Sequence, residues 1–132
     1  MKKLPLGIHS LAKLLDSGCV YVDKTSLAYR LIQQPGAFFL SRPRRFGKSL
    51  FVDTLKEIFE GNRRLFDGLF IQAHWDWNRT FPVIQIDFAA GTVRSREELD
   101  KRIGILLLTN AQRLGIRLPS QYDIAGQFSS LI

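Results

Sequence analysis

Apolar positions along the chain alternate between two spacings, and each spacing predicts a different kind of element. Leu11, Leu14 and Leu15 recur at helical spacing behind Ser10, a residue type that caps helices, and Gly18 stands just past them, so a short helix is expected within residues 10–20. Val20, Tyr21 and Val22 form a brief extended piece. A second helix is expected through Leu27, Leu31 and Ile32, with Asp23 or Thr25 as its cap and Pro35 and Gly36 as its end. Residues 37–41 are then nearly continuously apolar, the pattern of a strand buried on both faces of a parallel sheet.

Helical spacing returns with Phe51, Leu55, Ile58 and Phe59, one amphipathic stripe that Gly61 closes. A second strand is expected over residues 82–88, where Val83, Ile84 and Ile86 are β-branched and Pro82 takes the first position. Ser95-Arg96-Glu97-Glu98 is a capping box, and Leu99, Ile103, Leu106, Leu107, Ala111 and Leu114 carry the helix it starts to Gly115. Residues 119–132 predict a further helix. Strands alternating with helices give an expected α/β fold, a parallel sheet with flanking helices. The sheet is expected to be incomplete, because the sequence ends on apolar Leu131 and Ile132 with no polar tail, as an element cut through its middle does.

Composition narrows the chemistry. At 132 residues and 45% hydrophobic, the chain is long enough for one domain with a core. Its one cysteine, Cys19, forms no internal disulfide, and with only His9 and His74 beside it there is no metal-ligand cluster, so a reducing, cytoplasmic setting is expected. Lys2 and Lys3 open the chain, but Pro5, Gly7, His9 and Ser10 interrupt any signal-peptide core, and no apolar run approaches the ~20 residues of a membrane span. A net charge of +7 suits an acidic partner such as nucleotide or nucleic acid, and equally suits an Arg-rich solvated surface.

Four basic residues, Arg42, Arg44, Arg45 and Lys48, fall within residues 41–50, Ser-Arg-Pro-Arg-Arg-Phe-Gly-Lys-Ser-Leu. Gly47-Lys48-Ser49 completes the second half of the phosphate-loop pattern G-x-x-x-x-G-K-[ST], while Arg42 occupies the place of the first glycine. A strand running into a helix N-terminus supplies the converging amides and the positive dipole that phosphate oxygens need. Gly47 would let the main chain approach a phosphate, Lys48 would reach the β and γ phosphates, and the Ser49 hydroxyl would ligate Mg²⁺. Arg42 and Pro43 demand a different entry to the loop, since a side chain makes positive φ costly and proline biases the residue before it toward extended backbone. The three arginines would add guanidinium contacts to phosphate, to a nucleic-acid backbone or to neighbouring acids. The plain alternative is a basic strand-to-helix turn with Lys48 solvated.

At these residues the chain resembles the AAA-ATPase-like domain family of prokaryotic proteins, whose P-loop domain precedes a PD-(D/E)XK nuclease-like domain. The resemblance rests on Leu6-Gly7-Ile8, Tyr21-Val22-Asp23-Lys24-Thr25, the block from Phe39 to Leu50, Leu65-Phe66-Asp67-Gly68-Leu69 and Pro82-Val83-Ile84. It implies a P-loop NTPase-like fold, with residues 1–132 as the N-terminal part of the domain, truncated before the Walker B strand. It also implies ATP and Mg²⁺ as ligands, held by Arg42, Arg44, Arg45, Phe46, Gly47, Lys48, Ser49 and Leu50, with Ser49 on the metal. Arginine is usual in that family at the first-glycine position, so Arg42 is a family trait. Leu11 stands where relatives commonly carry Phe, a change expected to affect packing alone. The acidic Asp-Glu pair that would position water, and the nuclease-like domain, lie beyond Ile132 in such proteins.

Two functions from different classes follow. One is a nucleoside triphosphate-binding domain in which hydrolysis by this chain alone is not expected. The other is a non-catalytic basic module that binds nucleic acid or regulates an associated nuclease. Asp87 imitates the end of an acidic strand but is followed by Phe88, and it is either a Mg²⁺ residue or a capping aspartate. Asp23-Lys24-Thr25 is either a helix cap with a surface lysine or a contact to the nucleotide base or ribose. His74-Trp75-Asp76-Trp77 is either a platform for bases or an aromatic edge of the core, and His9 and Cys19 are taken as structural.

Overall fold

The computed structural model describes residues 3–88 and 91–132, and the chain divides into two units, Met1–Val83 and Ile84–Ile132. Lys2 of the N-terminal basic pair lies outside the described residues.

In the first unit three helices form where the apolar spacing places them: α1 at Leu11–Asp16, α2 at Thr25–Ile32 and α3 at Lys48–Phe59. Two short 3₁₀ turns follow, at Arg63–Phe66 and Phe70–Ala73. Leu11, Ala28, Ile58, Phe66 and Ile71 are fully buried where these five pieces meet. The end of α3 shows why Gly61 is needed. The Gly61 amide donates to Ile58 O at 3.1 Å and the Asn62 amide to Glu57 O at 3.0 Å, a Schellman closure that puts Gly61 at φ 79°. The start of α1 is tied to α3 by a contact between distant residues, the Leu11 amide donating to Asp53 Oδ2 at 2.7 Å.

The aromatic residues after α3 complete this core. Trp77 donates from Nε1 to Gln72 O at 2.9 Å and packs on Phe66 with ring centroids 5.3 Å apart. Trp75 meets Phe59 edge-on at 5.8 Å, and His74 stacks on Phe70 at 3.9 Å. Both tryptophans are thus core-edge residues, the packing reading of the 74–77 segment.

The second unit is a helical pair, α4 at Arg96–Leu114 and α5 at Ile124–Leu131, packed through Leu107, Ala111 and Leu131. Half of the capping box is present, the Glu98 amide donating to Ser95 Oγ at 3.2 Å, while Glu98 Oε2 reaches one residue past the N-cap to accept from the Arg94 amide at 2.8 Å. Asp123 caps α5 by accepting from the Gly126 amide at 2.8 Å, so this helix begins later than the expected residue 119.

The expected parallel sheet is absent, and the α/β, P-loop NTPase-like assignment is corrected: among the described residues there is no strand. Both segments with strand-like patterns, 37–41 and 82–88, are irregular. The physical reason is that a helix satisfies its own backbone while a strand exists only through a neighbour. Phe38, Phe39 and Leu40 have none and stand open to solvent, Phe39 at 93% exposure. In the other segment a side chain takes the neighbour's place. Asn110 Oδ1 accepts from the Gln85 amide at 2.9 Å and its Nδ2 donates to Gln85 O at 2.8 Å, filling both main-chain positions.

Candidate functional site

The 41–50 segment is a turn that ends in the first residues of α3, the 12-residue helix that Lys48 and Ser49 begin. Gly47 is the N-cap, in the left-handed region at φ 77° and ψ 21°. A Cβ there would meet nothing within 4 Å. The first amides of a helix have no acceptor within it. Those of Lys48, Ser49 and Leu50 therefore form a ready donor set, strengthened by the positive end of the α3 dipole.

Arg42 does not take the left-handed backbone that a glycine at its position allows; among the described residues the non-glycine with positive φ is Arg45, at 66°. The sharp bend has moved three residues along the loop. Such a conformation costs a side-chain-bearing residue about 1–2 kcal/mol, and it is held here by the structure on either side. Lys48 curls back, its Nζ donating to the main-chain oxygen of Arg42 and closing the loop on itself.

Arg42, Arg44, Arg45, Phe46, Gly47 and Ser49 are exposed, while Lys48 and Leu50 are half-buried. Leu50 faces inward and its carbonyl accepts from Thr54 Oγ1 at 2.8 Å, so its contribution to an external ligand is its amide. Among the described residues no carboxylate pairs with Arg42, Arg44, Arg45 or Lys48. Thirteen of the nineteen basic residues fall in positions 1–83 against seven of the twelve acidic ones, so nearly all the excess positive charge belongs to the loop's own unit. An uncompensated field of this sign draws anions.

A groove of about 640 Å³ opens beside the loop. Its walls are mainly apolar, Leu27 and Leu31 from α2, Phe51 and Leu55 from α3, and Phe38 and Phe39 from the irregular segment, with Arg42, Phe46 and Gly47 at the loop end.

Asp23-Lys24-Thr25 is a structural clamp. Asp23 Oδ1 accepts from the Thr25 amide at 2.8 Å and from Thr25 Oγ1 at 2.7 Å, while Oδ2 accepts from the Phe70 amide at 2.8 Å. Fully buried Thr25 in turn accepts from the Ile71 amide at 3.1 Å. Burial pushes the Asp23 carboxyl up, but the bonds from Thr25 and Phe70 outweigh it and hold the group below the ordinary aspartate value. Asp23 serves the start of α2 without being its N-cap residue, which is Lys24.

Residues that sequence reasoning missed are Asp53, which anchors α1, and Asn110, which holds Gln85. Neither is recognisable from spacing, because each acts on backbone far away in sequence. Asp87, the candidate Mg²⁺ residue, belongs to the second unit, and among the described residues no group of three or more His, Cys, Asp or Glu side chains is gathered to hold a metal. The metal donor the loop itself presents is the exposed Ser49 hydroxyl, an oxygen suited to a hard cation that completes its shell with phosphate and water. None of the helices is long and apolar enough to cross a membrane among the described residues.

The model of the family described as "Predicted AAA-ATPase" matches residues 5–132, nearly the whole sequence and all of the loop. The chain belongs to this family. The chain is 48% identical over 132 residues to an uncharacterized protein in the vnfD 5' region of Azotobacter chroococcum mcd 1. That alignment covers 99% of this chain and 25% of the relative, so the chain spans about a quarter of the length of the curated relative it matches. No solved structure matches the chain. Membership of a predicted AAA-ATPase family is consistent with a nucleotide-binding role.

Proposed function

We propose that this AAA-ATPase family member binds Mg²⁺-nucleoside triphosphate, ATP first, through the P-loop at Gly47-Lys48-Ser49. The observation that carries the reading is the N-terminus of α3, where left-handed Gly47 caps the helix, the first amides have no acceptor within it, and Lys48 and Ser49 fill the first turn. The amides of Lys48, Ser49 and Leu50 receive phosphate oxygens, and Lys48 exchanges its bond to the Arg42 carbonyl for one to phosphate. Arg42, Arg44 and Arg45 add charge at the rim. The Ser49 hydroxyl would hold Mg²⁺, which would supply charge neutralisation on the nucleotide. Binding is the activity assigned, in a reducing, cytoplasmic compartment.

The test is titration of the wild-type chain and Lys48→Ala with Mg²⁺-ATP by calorimetry. Loss of binding in the variant supports the reading, and equal affinity sinks it.

The concentration of positive charge in residues 1–83 favours a second reading, a basic module for nucleic acid. It predicts DNA or RNA affinity that falls steeply with salt and is indifferent to Mg²⁺-ATP.

A further inference from the structure

Lys24 belongs to no part of the phosphate-loop pattern, yet it stands beside the loop. Two separate cavities border Gly47, the groove of about 640 Å³ and a smaller one of about 230 Å³, and Lys24 lines both. Gly47 and Phe51 are the other residues that the two share, so Lys24 sits on the ridge between them at the mouth of the α3 N-terminus.

Its backbone is fixed from several sides. Asp23 is bound to the Phe70 amide, Thr25 to the Ile71 amide, and Asp23 and Thr25 to each other across Lys24. Two residues before Asp23, burial raises the pKa of the Tyr21 hydroxyl, with the Thr54 side chain of α3 and the Lys24 backbone opposing that rise, and the ring packs against the core of this unit. The side chain of Lys24 is exposed, and among the described residues no carboxylate pairs with its ammonium. Asp23, the nearest acid in sequence, has both oxygens engaged elsewhere. A solvated surface lysine needs no such rigid seat. A lysine that must present its charge to one point does.

We infer that Lys24 is a second phosphate-binding cation, which contacts the polyphosphate of the nucleotide from the α2 side while Lys48 contacts it from the α3 side. The inference rests on the proposed nucleotide binding and adds a residue to it. It assigns Lys24 to the phosphates and not to the base or ribose, because Gly47, one of the two residues that line both cavities with it, is the N-cap of α3, where the phosphates would bind, and Phe51 lies one turn further into that helix.

The experiment compares wild type, Lys24→Gln, Lys24→Arg and Lys48→Ala, each titrated with Mg²⁺-ATP and with inorganic tripolyphosphate, with thermal melts as a folding control. Lys24→Gln is expected to melt like wild type and to lose affinity for both ligands by the same factor, about tenfold for one lost charge-assisted contact. Lys24→Arg is expected to retain most of that affinity. If Lys48→Ala loses binding and Lys24→Gln does not, the Lys24 inference is overturned while nucleotide binding stands. A loss for ATP without a loss for tripolyphosphate also overturns it, by placing Lys24 on the nucleoside. If wild type and Lys48→Ala bind alike, the parent reading fails and takes this one with it.

Discussion

The Asp23 carboxylate accepts from the Phe70 amide at 2.8 Å across a separation of 47 residues, and with its other oxygen it holds Thr25 at the start of α2. One acid thereby joins α2 to the 3₁₀ turn whose aromatic residues close the core. Asp23→Asn keeps one acceptor but turns an NH₂ toward the Phe70 amide. A loss of about 1–2 kcal/mol is expected, at the low end for a charge-assisted bond because the carboxylate is largely exposed. The sign with pH follows from the lowered pKa. A carboxyl held below its unfolded value of about 3.9 contributes stability that is present above that pH and is lost as pH falls through the folded value. Urea midpoints of wild type and Asp23→Asn should differ at pH 7, and the gap should narrow as pH falls below about 3.9; a constant gap would show that the charge contributes nothing.

Gly47 and Gly61 share positive φ but differ in their surroundings. A Cβ on Gly47 enters open space, whereas one on Gly61 would lie 2.7 Å from Thr80 Cγ2. Gly47→Ala should therefore lose only the conformational term of about 1–2 kcal/mol, and Gly61→Ala should lose that and a further ~1 kcal/mol or more from the displaced threonine. The order reverses for function: Gly47→Ala should weaken nucleotide binding and Gly61→Ala should leave it unchanged. Melting curves and calorimetric titrations of both variants check the two orders together.

The helices were legible in the sequence because their signals are local. Gly61 closing α3, Ser95 and Glu98 framing α4, and the spacing of Leu11 and Leu14 all act within a few residues of where they are read. The sheet was misread for the same reason. The apolar run at Phe38, Phe39 and Leu40 reports which side chains suit a buried strand, and says nothing of whether a neighbouring strand is there to bond. The 41–50 segment was legible as the turn that leads into α3, with Arg42 before Pro43 kept out of positive φ. Its actual bend at Arg45 was not, since no residue type there announces positive φ.

Arg45 allows strain and charge to be separated. Arg45→Gly and Arg45→Ala both remove the guanidinium, but only glycine accepts φ 66° without a Cβ penalty. Arg45→Gly is expected to be about 0.5–1 kcal/mol more stable than Arg45→Ala, the relieved strain being partly offset by the freer unfolded glycine. If Arg45 acts on the ligand through its charge, the two variants should lose the same factor in affinity for Mg²⁺-ATP. Unequal losses would mean that the bend itself positions the loop.

Asn110 carries the most demanding prediction, because its amide stands in for a strand. The side chain is buried, accepts from the Gln85 amide, and donates to both Gln85 O and Leu106 O at 2.8 Å. Asn110→Leu leaves the Gln85 amide and carbonyl without their partner and should destabilise the second unit by about 2–3 kcal/mol, with faster hydrogen exchange at Gln85. Asn110→Asp keeps the acceptor for the Gln85 amide but sets a carboxylate against two carbonyl oxygens. Only the protonated acid can donate there, so burial and these two carbonyls should outweigh the long 3.4 Å contact from Arg113 Nη2, which favours the carboxylate, and raise the folded pKa above the unfolded value of about 3.9. The variant is then expected to be closest to wild type in acid and to weaken as pH rises past that unfolded value, the reverse of the behaviour expected from Asp23. Helix content followed by circular dichroism in urea at pH 4 and pH 7 measures the difference, and an Asn110→Asp chain equally stable at both would show that its amide does not bond Gln85.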